Sequence, residues 1–181
     1  MYLFTLEEEG GARFGADLAP AGVLYLPAHD VIVKGSRDLD EGTRRDAVDK
    51  ALTRSGLLLN DPEVLDAMEH LEQGKSPRFL PLKVSKKTGE ISGDTLASAE
   101  QLGKLRRHIQ KVLRDIGEEL AEGNIAADPY YRNAQMTACA YCEYAAACHF
   151  EEGRGGDCRR YLYSMKGVKF WESLDSGQIS L

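Results

Sequence analysis

The chain has 181 residues, of which 43% are hydrophobic, and it carries a net charge of −6 at neutral pH. This composition is that of a globular domain with a sizeable core, and it excludes both a disordered chain and a generic polyanion binder. No apolar run approaches the roughly 20 residues of a membrane span, and the acidic start lacks a basic leader. We therefore expect a cytoplasmic protein without a membrane partner, in which cysteines stay reduced and available for metal.

The first forty residues are predicted to hold a helix end and a buried strand. Residues 2–6 are apolar from the outset, so residues 2–9 are typical of the end of a helix inside a larger domain, and Gly10 and Gly11 are expected to stop it. Residues 21–26 form a near-continuous apolar run between two prolines, which favours a strand buried on both faces. Residues 31–33 are expected to extend that strand or to begin another.

The middle of the chain carries two helix-start signals. Asp40 is expected to cap a polar helix that runs to about Arg54. A short apolar run at residues 57–59 leads to residues 60–63, where a capping side chain is followed by a first-turn proline. This second helix is predicted to continue to about Gln73.

A hairpin and a long helix precede the cysteines. Residues 80–85 alternate as a strand, residues 88–89 suit a turn, and residues 90–92 form the return strand. A capping box at residues 98–101 begins the longest helix, and Gly123 ends it. Its apolar positions recur at spacings of three and four and are Leu102, Leu105, Ile109, Val112, Ile116 and Leu120.

All four cysteines lie within one short segment, in the pattern Cys139-x2-Cys142-x5-Cys148-x9-Cys158. Thiolates bind zinc and the iron of iron–sulfur clusters tightly, so this clustering predicts one metal site. A zinc ribbon normally pairs two C-x2-C knuckles, whereas iron–sulfur clusters accept uneven spacing. Cysteines that merely pack in a core are the alternative, above all for Cys158, and His149 is expected to point away from Cys148.

Two groups of basic residues are candidate DNA-contacting surfaces. One lies along the long helix and includes Lys104, Arg107 and Lys111, which would neutralise phosphates. The other lies beside the cysteines and includes Arg159 and Arg160, near aromatic side chains that can stack on single-stranded bases. The competing interpretations are a solvated charged face for the first group, and rings that cover the metal centre for the second.

The cysteine segment resembles the C-terminal signature of a known family. Pro129 and Tyr130 precede the C-x2-C-x5-C motif, Phe150 follows it, and Arg160 and Tyr161 come near the end. This order is similar to that of AddB and RexB, the B subunits of bacterial ATP-dependent helicase–nucleases. The upstream apolar strand and the helices also have counterparts, so the resemblance covers almost the whole chain.

The resemblance implies an α/β fold. Residues 1–127 would be the C-terminal portion of a RecB-like PD-(D/E)xK nuclease domain, and residues 128–181 a cysteine-rich, cluster-binding tail packed on it. The family's nuclease uses carboxylates that hold Mg²⁺ to activate water. None of these is assigned here, because Tyr2 corresponds to the tyrosine of the Gln-x3-Tyr motif that follows them. We therefore expect the chain by itself to be inactive as a nuclease.

The resemblance also implies a four-iron, four-sulfur cluster. Three family ligands carry over to Cys139, Cys142 and Cys148, and the fourth lies far upstream in the family, with Cys158 as the alternative within this chain. The intact protein would work with a helicase–nuclease A subunit on DNA, in double-strand break repair and recombination. The cluster would pin the domain and shape a DNA path. The competing hypothesis is a stand-alone zinc-binding interaction module.

Overall fold

A computed structural model describes residues 1–36, 38–165 and 167–177. Within these ranges the chain has the mixed α/β structure that the sequence predicts. The helices are α1 Tyr2–Phe14, α2 Glu41–Ala51, α3 Pro62–Met68, α4 Ala99–Ala121, α5 Ala145–Cys148 and α6 Val168–Asp175. The strands are β1 Gly22–Tyr25, β2 Ser55–Leu59, β3 Lys83–Val84, β4 Ile91–Ser92, β5 Leu96–Ala97, β6 Tyr130–Asn133, β7 Met136–Thr137 and β8 Arg160–Tyr161.

The chain divides into two compact units, Met1–Arg106 and Arg107–Leu181, and the division falls within α4. The boundary that the motifs suggested, between residues 127 and 128, stays a prediction. No helix in the described part of the chain is both long enough and apolar enough to cross a membrane.

The first unit is built on a small sheet with the strand order β1-β2-β5. β1 pairs antiparallel with β2, β2 pairs parallel with β5, and β3 and β4 form a separate hairpin. Leu58 of β2, Leu65 of α3, and Leu80 and Leu82 form a buried cluster at its centre. Burying a leucine side chain contributes about 1.5–3 kcal/mol, so this cluster stabilises the unit.

The predicted starts of the two middle helices are confirmed by side-chain caps. The carboxylate of Asp40 accepts the backbone N–H of Thr43 at 2.9 Å, where α2 begins. The carboxylate of Asp61 accepts the N–H groups of Glu63 and Val64 at 2.9 and 3.3 Å, where α3 begins. Hydrogen bonds from the hydroxyl and the N–H of Thr43 hold the pKa of Asp40 below its ordinary value, because they stabilise the carboxylate.

The predicted hairpin turn and capping box are also confirmed. Gly89 has a φ of 72° in the turn between β3 and β4, a conformation that favours glycine. The N–H of Ser98 donates to the side-chain oxygen of Gln101 at 2.8 Å, and the N–H of Gln101 donates to the Ser98 hydroxyl at 3.1 Å. These reciprocal bonds begin α4, and Gly123, with a φ of 75°, follows its end.

The prediction that Gly10 and Gly11 end the first helix is wrong. α1 continues to Phe14 and ends at Gly15, whose φ is 69°. Gly10 is buried inside the helix, and a Cβ atom placed on it would stand 2.6 Å from Cγ of Leu18. Glycine is therefore needed at this position for close packing and does not interrupt the helix.

The prediction that residues 21–26 are buried on both faces is wrong. Burial alternates along β1, with Tyr25 66% exposed, and Leu26 just beyond the strand is 63% exposed. Alternation follows because only one face of β1 packs on the leucine cluster. Residues 31–33 form no strand, and Ile32 is 85% exposed.

α3 is shorter than predicted and ends at Met68 instead of about Gln73. Glu69 adopts an extended backbone and turns its carboxylate toward the chain that leads into the hairpin. That carboxylate accepts three backbone N–H groups at 2.5 to 3.0 Å, those of Arg78, Phe79 and Leu80. A side chain that satisfies three loop donors favours the loop over another helical turn. α2 likewise ends at Ala51, shortly before the predicted Arg54.

The second unit contains a small sheet with the order β7-β6-β8. β6 pairs antiparallel with β7 and parallel with β8. None of the residues that the structure describes from Arg107 onward is buried. Backbone pairing and surface contacts, rather than an apolar interior, therefore connect the elements of this unit.

Candidate metal centre

Successive tight turns after β7 position the first two cysteines. The hydroxyl of Thr137 accepts the N–H of Cys139 at 3.4 Å, and its carbonyl accepts the N–H of Ala140 at 3.2 Å. The N–H of Cys142 then donates to the carbonyl of Cys139 at 3.4 Å, and the N–H of Ala145 to that of Cys142 at 3.3 Å. Turns closed between residues three apart keep the C-x2-C spacing compact.

One helical turn then brings in the third cysteine. Cys148 is the last residue of α5, and its N–H donates to the carbonyl of Tyr144 at 2.9 Å. His149 ends the turn in the left-handed conformation, with φ 51° and ψ 33°. It is the one non-glycine residue with a positive φ in the described ranges. This conformation costs a residue with a side chain about 1–2 kcal/mol, so the surrounding structure must hold it.

Three of the four cysteines line one cavity of about 280 Å³. They are Cys139, Cys142 and Cys148, all of them unbridged thiols. Other parts of the wall come from Tyr131, His149, Phe150 and Arg159. The volume lies near the lower end of pockets that hold small ligands and cofactors, about 300–1,000 Å³. In the part of the chain that the structure describes, no three His, Cys, Asp or Glu residues are grouped so as to hold a single metal ion.

Cys158 and His149 occupy different positions relative to this cavity. Cys158 is exposed, is not part of the cavity wall, and donates its backbone N–H to the carbonyl of Ala127 at 3.3 Å. His149 is among the residues that line the cavity, and the expectation that its side chain points away from Cys148 stays a prediction.

Arg159 forms part of the cavity wall and lies between two aromatic rings. Its guanidinium carbon is 4.8 Å from the ring centroid of Tyr131 and 5.8 Å from that of Phe150. One guanidinium nitrogen is 3.4 Å from a carboxylate oxygen of Glu152. Tyr131 is itself packed edge-on against Tyr161, with ring centroids 5.6 Å apart. The sequence shows aromatic residues in this segment, but it does not show which rings contact the guanidinium of Arg159.

The second predicted basic residue of this segment, Arg160, is also engaged within the unit. Its Nε donates to the carbonyl of Asp128 at 2.8 Å and lies 3.4 Å from the Asp128 carboxylate. Beside it, the hydroxyl of Tyr161 donates to Glu152 at 2.8 Å. This bond raises the pKa of Tyr161, because the phenol proton is held by the carboxylate.

The remaining predicted site residues lie outside the cysteine segment. On α4, Lys104 lies in the first unit and its ammonium is 3.0 Å from the carboxylate of Glu100. Lys111 is ion-paired to the carboxylate one turn later and its side chain is 71% exposed, and Arg107 is exposed. Tyr2, assigned to the Gln-x3-Tyr motif, is the first residue of α1 and is 90% exposed.

Comparison with known proteins agrees with this architecture. The sequence model of the PD-(D/E)XK nuclease superfamily matches residues 1–149, a range that includes the first three cysteines. The chain therefore belongs to the PD-(D/E)XK nuclease superfamily.

Within that superfamily the chain is similar to proteins named as the B subunit of an ATP-dependent helicase/deoxyribonuclease. The relative from Clostridium botulinum (strain Loch Maree / Type A3) is 32% identical over 96% of this chain and 15% of its own length. The relative from Thermoanaerobacter sp. (strain X514) is 32% identical over 92% of this chain and 14% of its own length. The relative from Clostridium novyi (strain NT) is 34% identical over 86% of this chain and 13% of its own length. The resemblance found in the cysteine segment is thereby confirmed, and the chain spans about one seventh of the length of these curated relatives.

Proposed function

We propose that this chain is the cluster-carrying structural part of a helicase–nuclease B subunit. A four-iron, four-sulfur cluster bound by Cys139, Cys142 and Cys148 would hold the second unit together. The observation that carries the proposal is the convergence of these three thiols on one cavity, in a unit whose described residues include none that is buried. Small domains without an apolar core are commonly stabilised by a metal or by disulfides.

The chemistry of three cavity-lining side chains, Cys139, Cys142 and Cys148, supports such a cluster. Thiolates are the usual ligands of cluster iron, and the turns after β7 and the single turn of α5 deliver three of them to one wall. Cys158 is not on that wall, which favours the family arrangement in which the fourth ligand lies upstream. When bound, the cluster would supply cross-linking of the segment and, by the family resemblance, support for a DNA path.

DNA contact is proposed for the exposed face of α4 and not for the basic residues beside the cysteines. Arg107, Lys111 and Arg114 are spaced four and three residues apart, so they share one side of the helix. All three are exposed, although Lys111 is paired with Asp115, whereas Arg159 and Arg160 are only partly exposed and are held by rings and carboxylates. In the longer protein, with an A subunit as partner, this face would follow the backbone of DNA undergoing double-strand break repair.

Anaerobic purification followed by iron, sulfide and zinc analysis tests the cluster. The wild-type chain, reconstituted with iron and sulfide, should bind both and show the broad visible absorbance of an iron–sulfur centre. Cys142→Ser should abolish that absorbance, and Cys158→Ser, the matched control outside the cavity wall, should retain it. A colourless protein with stoichiometric zinc would instead support the zinc-binding interaction module, and equal losses in both variants would contradict the assigned ligand set.

Salt-dependent DNA binding tests the α4 face separately. Fluorescence anisotropy with a labelled duplex should show weaker binding for the Arg107→Ala, Lys111→Ala double variant. The slope of log K against log salt should fall by about two, since each lost phosphate contact removes about 0.9. Lys87→Ala, an exposed lysine of the β3–β4 turn, should leave the slope unchanged. An unchanged slope in the double variant would refute contact through this face.

A further inference from the structure

We propose that Arg159 is a positioning residue for the anionic sulfur centre, setting its charge balance and reduction potential. This inference rests on the proposed cluster and assigns a residue that the sequence had grouped with DNA contacts. Among the residues that line the cysteine cavity, Arg159 is the one that bears a permanent positive charge. A cation fixed on the wall favours negative charge inside the cavity, such as that of a thiolate-bound cluster.

The structure holds Arg159 at this wall through three contacts. The guanidinium carbon lies 4.8 and 5.8 Å from the ring centroids of Tyr131 and Phe150, and a guanidinium nitrogen lies 3.4 Å from a carboxylate oxygen of Glu152. Cation–π attraction of this kind is strongest where water is excluded. The Arg159 side chain is 35% exposed, so its charge is screened less than that of a fully solvated residue.

A second tier of contacts fixes the groups that hold Arg159. Tyr131 lies in β6, and Tyr161 of β8 packs against its ring and donates its hydroxyl to Glu152. Tyr131 and Tyr161 are also direct neighbours in the parallel pairing of the two strands. The guanidinium is thus oriented by the sheet itself, which distinguishes it from Arg154 of the adjacent loop. Arg154 is 79% exposed and pairs only locally with Glu151.

A fixed positive charge near the centre has a defined electrochemical effect. Dithionite would supply one electron to the bound cluster, and this reduction would neither form nor break a bond. The added negative charge is favoured by a nearby cation, so Arg159 raises the reduction potential. Its loss should shift the reduction equilibrium toward the oxidised form by about threefold to tenfold, which is about 30–60 mV for a one-electron couple.

The test measures the reduction potential of the reconstituted chain by dithionite titration followed by visible absorbance and electron paramagnetic resonance. Arg159→Met should lower the potential and shorten the lifetime of the visible absorbance in air. Arg159→Lys, which keeps the charge, should restore most of the potential, although an ammonium lacks the planar shape of the guanidinium. Arg154→Met is the matched control and should behave as the wild type.

The outcomes separate this inference from the proposed cluster. A wild-type chain that takes up no iron and sulfide overturns the cluster and this inference with it. A loaded Arg159→Met chain with unchanged potential and lifetime overturns the inference alone. If Arg159→Met fails to bind iron and sulfide, Arg159→Lys decides the question. An Arg159→Lys chain that binds the cluster with nearly the wild-type reduction potential supports a role of the charge. An Arg159→Lys chain that binds the cluster without recovering the potential contradicts that role.

Discussion

The two compact units of this chain are stabilised in different ways. In Met1–Arg106, leucines from a strand, a helix and a hairpin segment meet in a cluster that solvent hardly reaches. In the described residues from Arg107 onward there is no buried side chain, and the contacts are stacked rings, ion pairs and short strands. The same chain therefore contains one unit organised by apolar burial and one in which three thiols line a single cavity.

This difference gives the proposed cluster a structural role in the second unit that the first unit does not require. A leucine cluster contributes to the free energy of folding through non-directional apolar burial, and it tolerates small rearrangements. A centre bound by thiolates supplies it only when the ligands are placed correctly and the metal is present. The proposed cluster therefore predicts that the second unit depends on metal and that the first does not.

Removal of the metal is expected to produce the largest change. Structural metal sites contribute on the order of 10 kcal/mol of binding free energy that is coupled to folding. Iron chelation of the reconstituted chain should therefore open the second unit to trypsin at Arg154, Arg159 and Arg160, while the first unit stays resistant. Limited proteolysis with mass spectrometry of the fragments checks this. Equal protection of both units before and after chelation would show that the metal does not organise the cysteine segment.

Truncation of the leucine cluster should affect the first unit selectively. Leu58 is fully buried, so Leu58→Ala removes its contacts and leaves a cavity, at a cost of about 2–5 kcal/mol. Urea denaturation should show this loss in the free energy of unfolding, and iron content should not change. Ile32→Ala, at a position 85% exposed, is the control and should have little effect. A parallel loss of iron in Leu58→Ala would mean that the two units are not stabilised independently.

Loss of a helix cap should give a smaller effect within the first unit. Asp61→Ala leaves two N–H groups of α3 without their side-chain acceptor and should cost about 0.5–2 kcal/mol. The free energy of unfolding measures this directly. Asp30→Ala, an exposed position outside helices and strands, should be nearly neutral. If the two variants lose equal stability, the cap is not the cause.

The smallest expected effect is a pH dependence at the start of α2. The folded pKa of Asp40 lies below the ordinary value of 3.8, so its ionised form stabilises the fold above that value. The contribution is lost as the pH falls through the lower, folded pKa. The melting temperature of the wild type should therefore exceed that of Asp40→Asn at neutral pH, and the gap should close below pH 3.8. A gap that is constant across this range would contradict the charge-based account.

The sequence predicted best those features that depend on neighbouring residues. The caps at Asp40, Asp61 and Ser98 act on backbone groups two or three positions away, so their signals are local. The turn at Gly89 and the C-x2-C spacing are local for the same reason. The identity of the superfamily also followed from a short motif, and the match over residues 1–149 confirms it.

Features that depend on distant packing were missed. The sequence predicted that Gly10 stops the helix because it does not show that Leu18 packs against Gly10. It predicted a longer α3 because it does not show that Glu69 accepts hydrogen bonds from backbone N–H groups of the loop. The two-residue strands β5, β7 and β8 are too short to carry an alternating pattern. Arg159 was grouped with DNA contacts because the sequence shows that it lies near the cysteines but not that its guanidinium is on the cavity wall that three of them share.

The left-handed backbone at His149 has a consequence for protein engineering. Glycine would adopt this conformation without the steric penalty, so His149→Gly is expected to be a stabilising substitution by simple backbone considerations. A library randomised at position 149 would therefore give different residues under a screen for stability and under a screen for cluster binding. Screening for thermal tolerance alone should enrich glycine, whereas screening for a coloured, loaded protein should enrich whatever side chain the cavity requires.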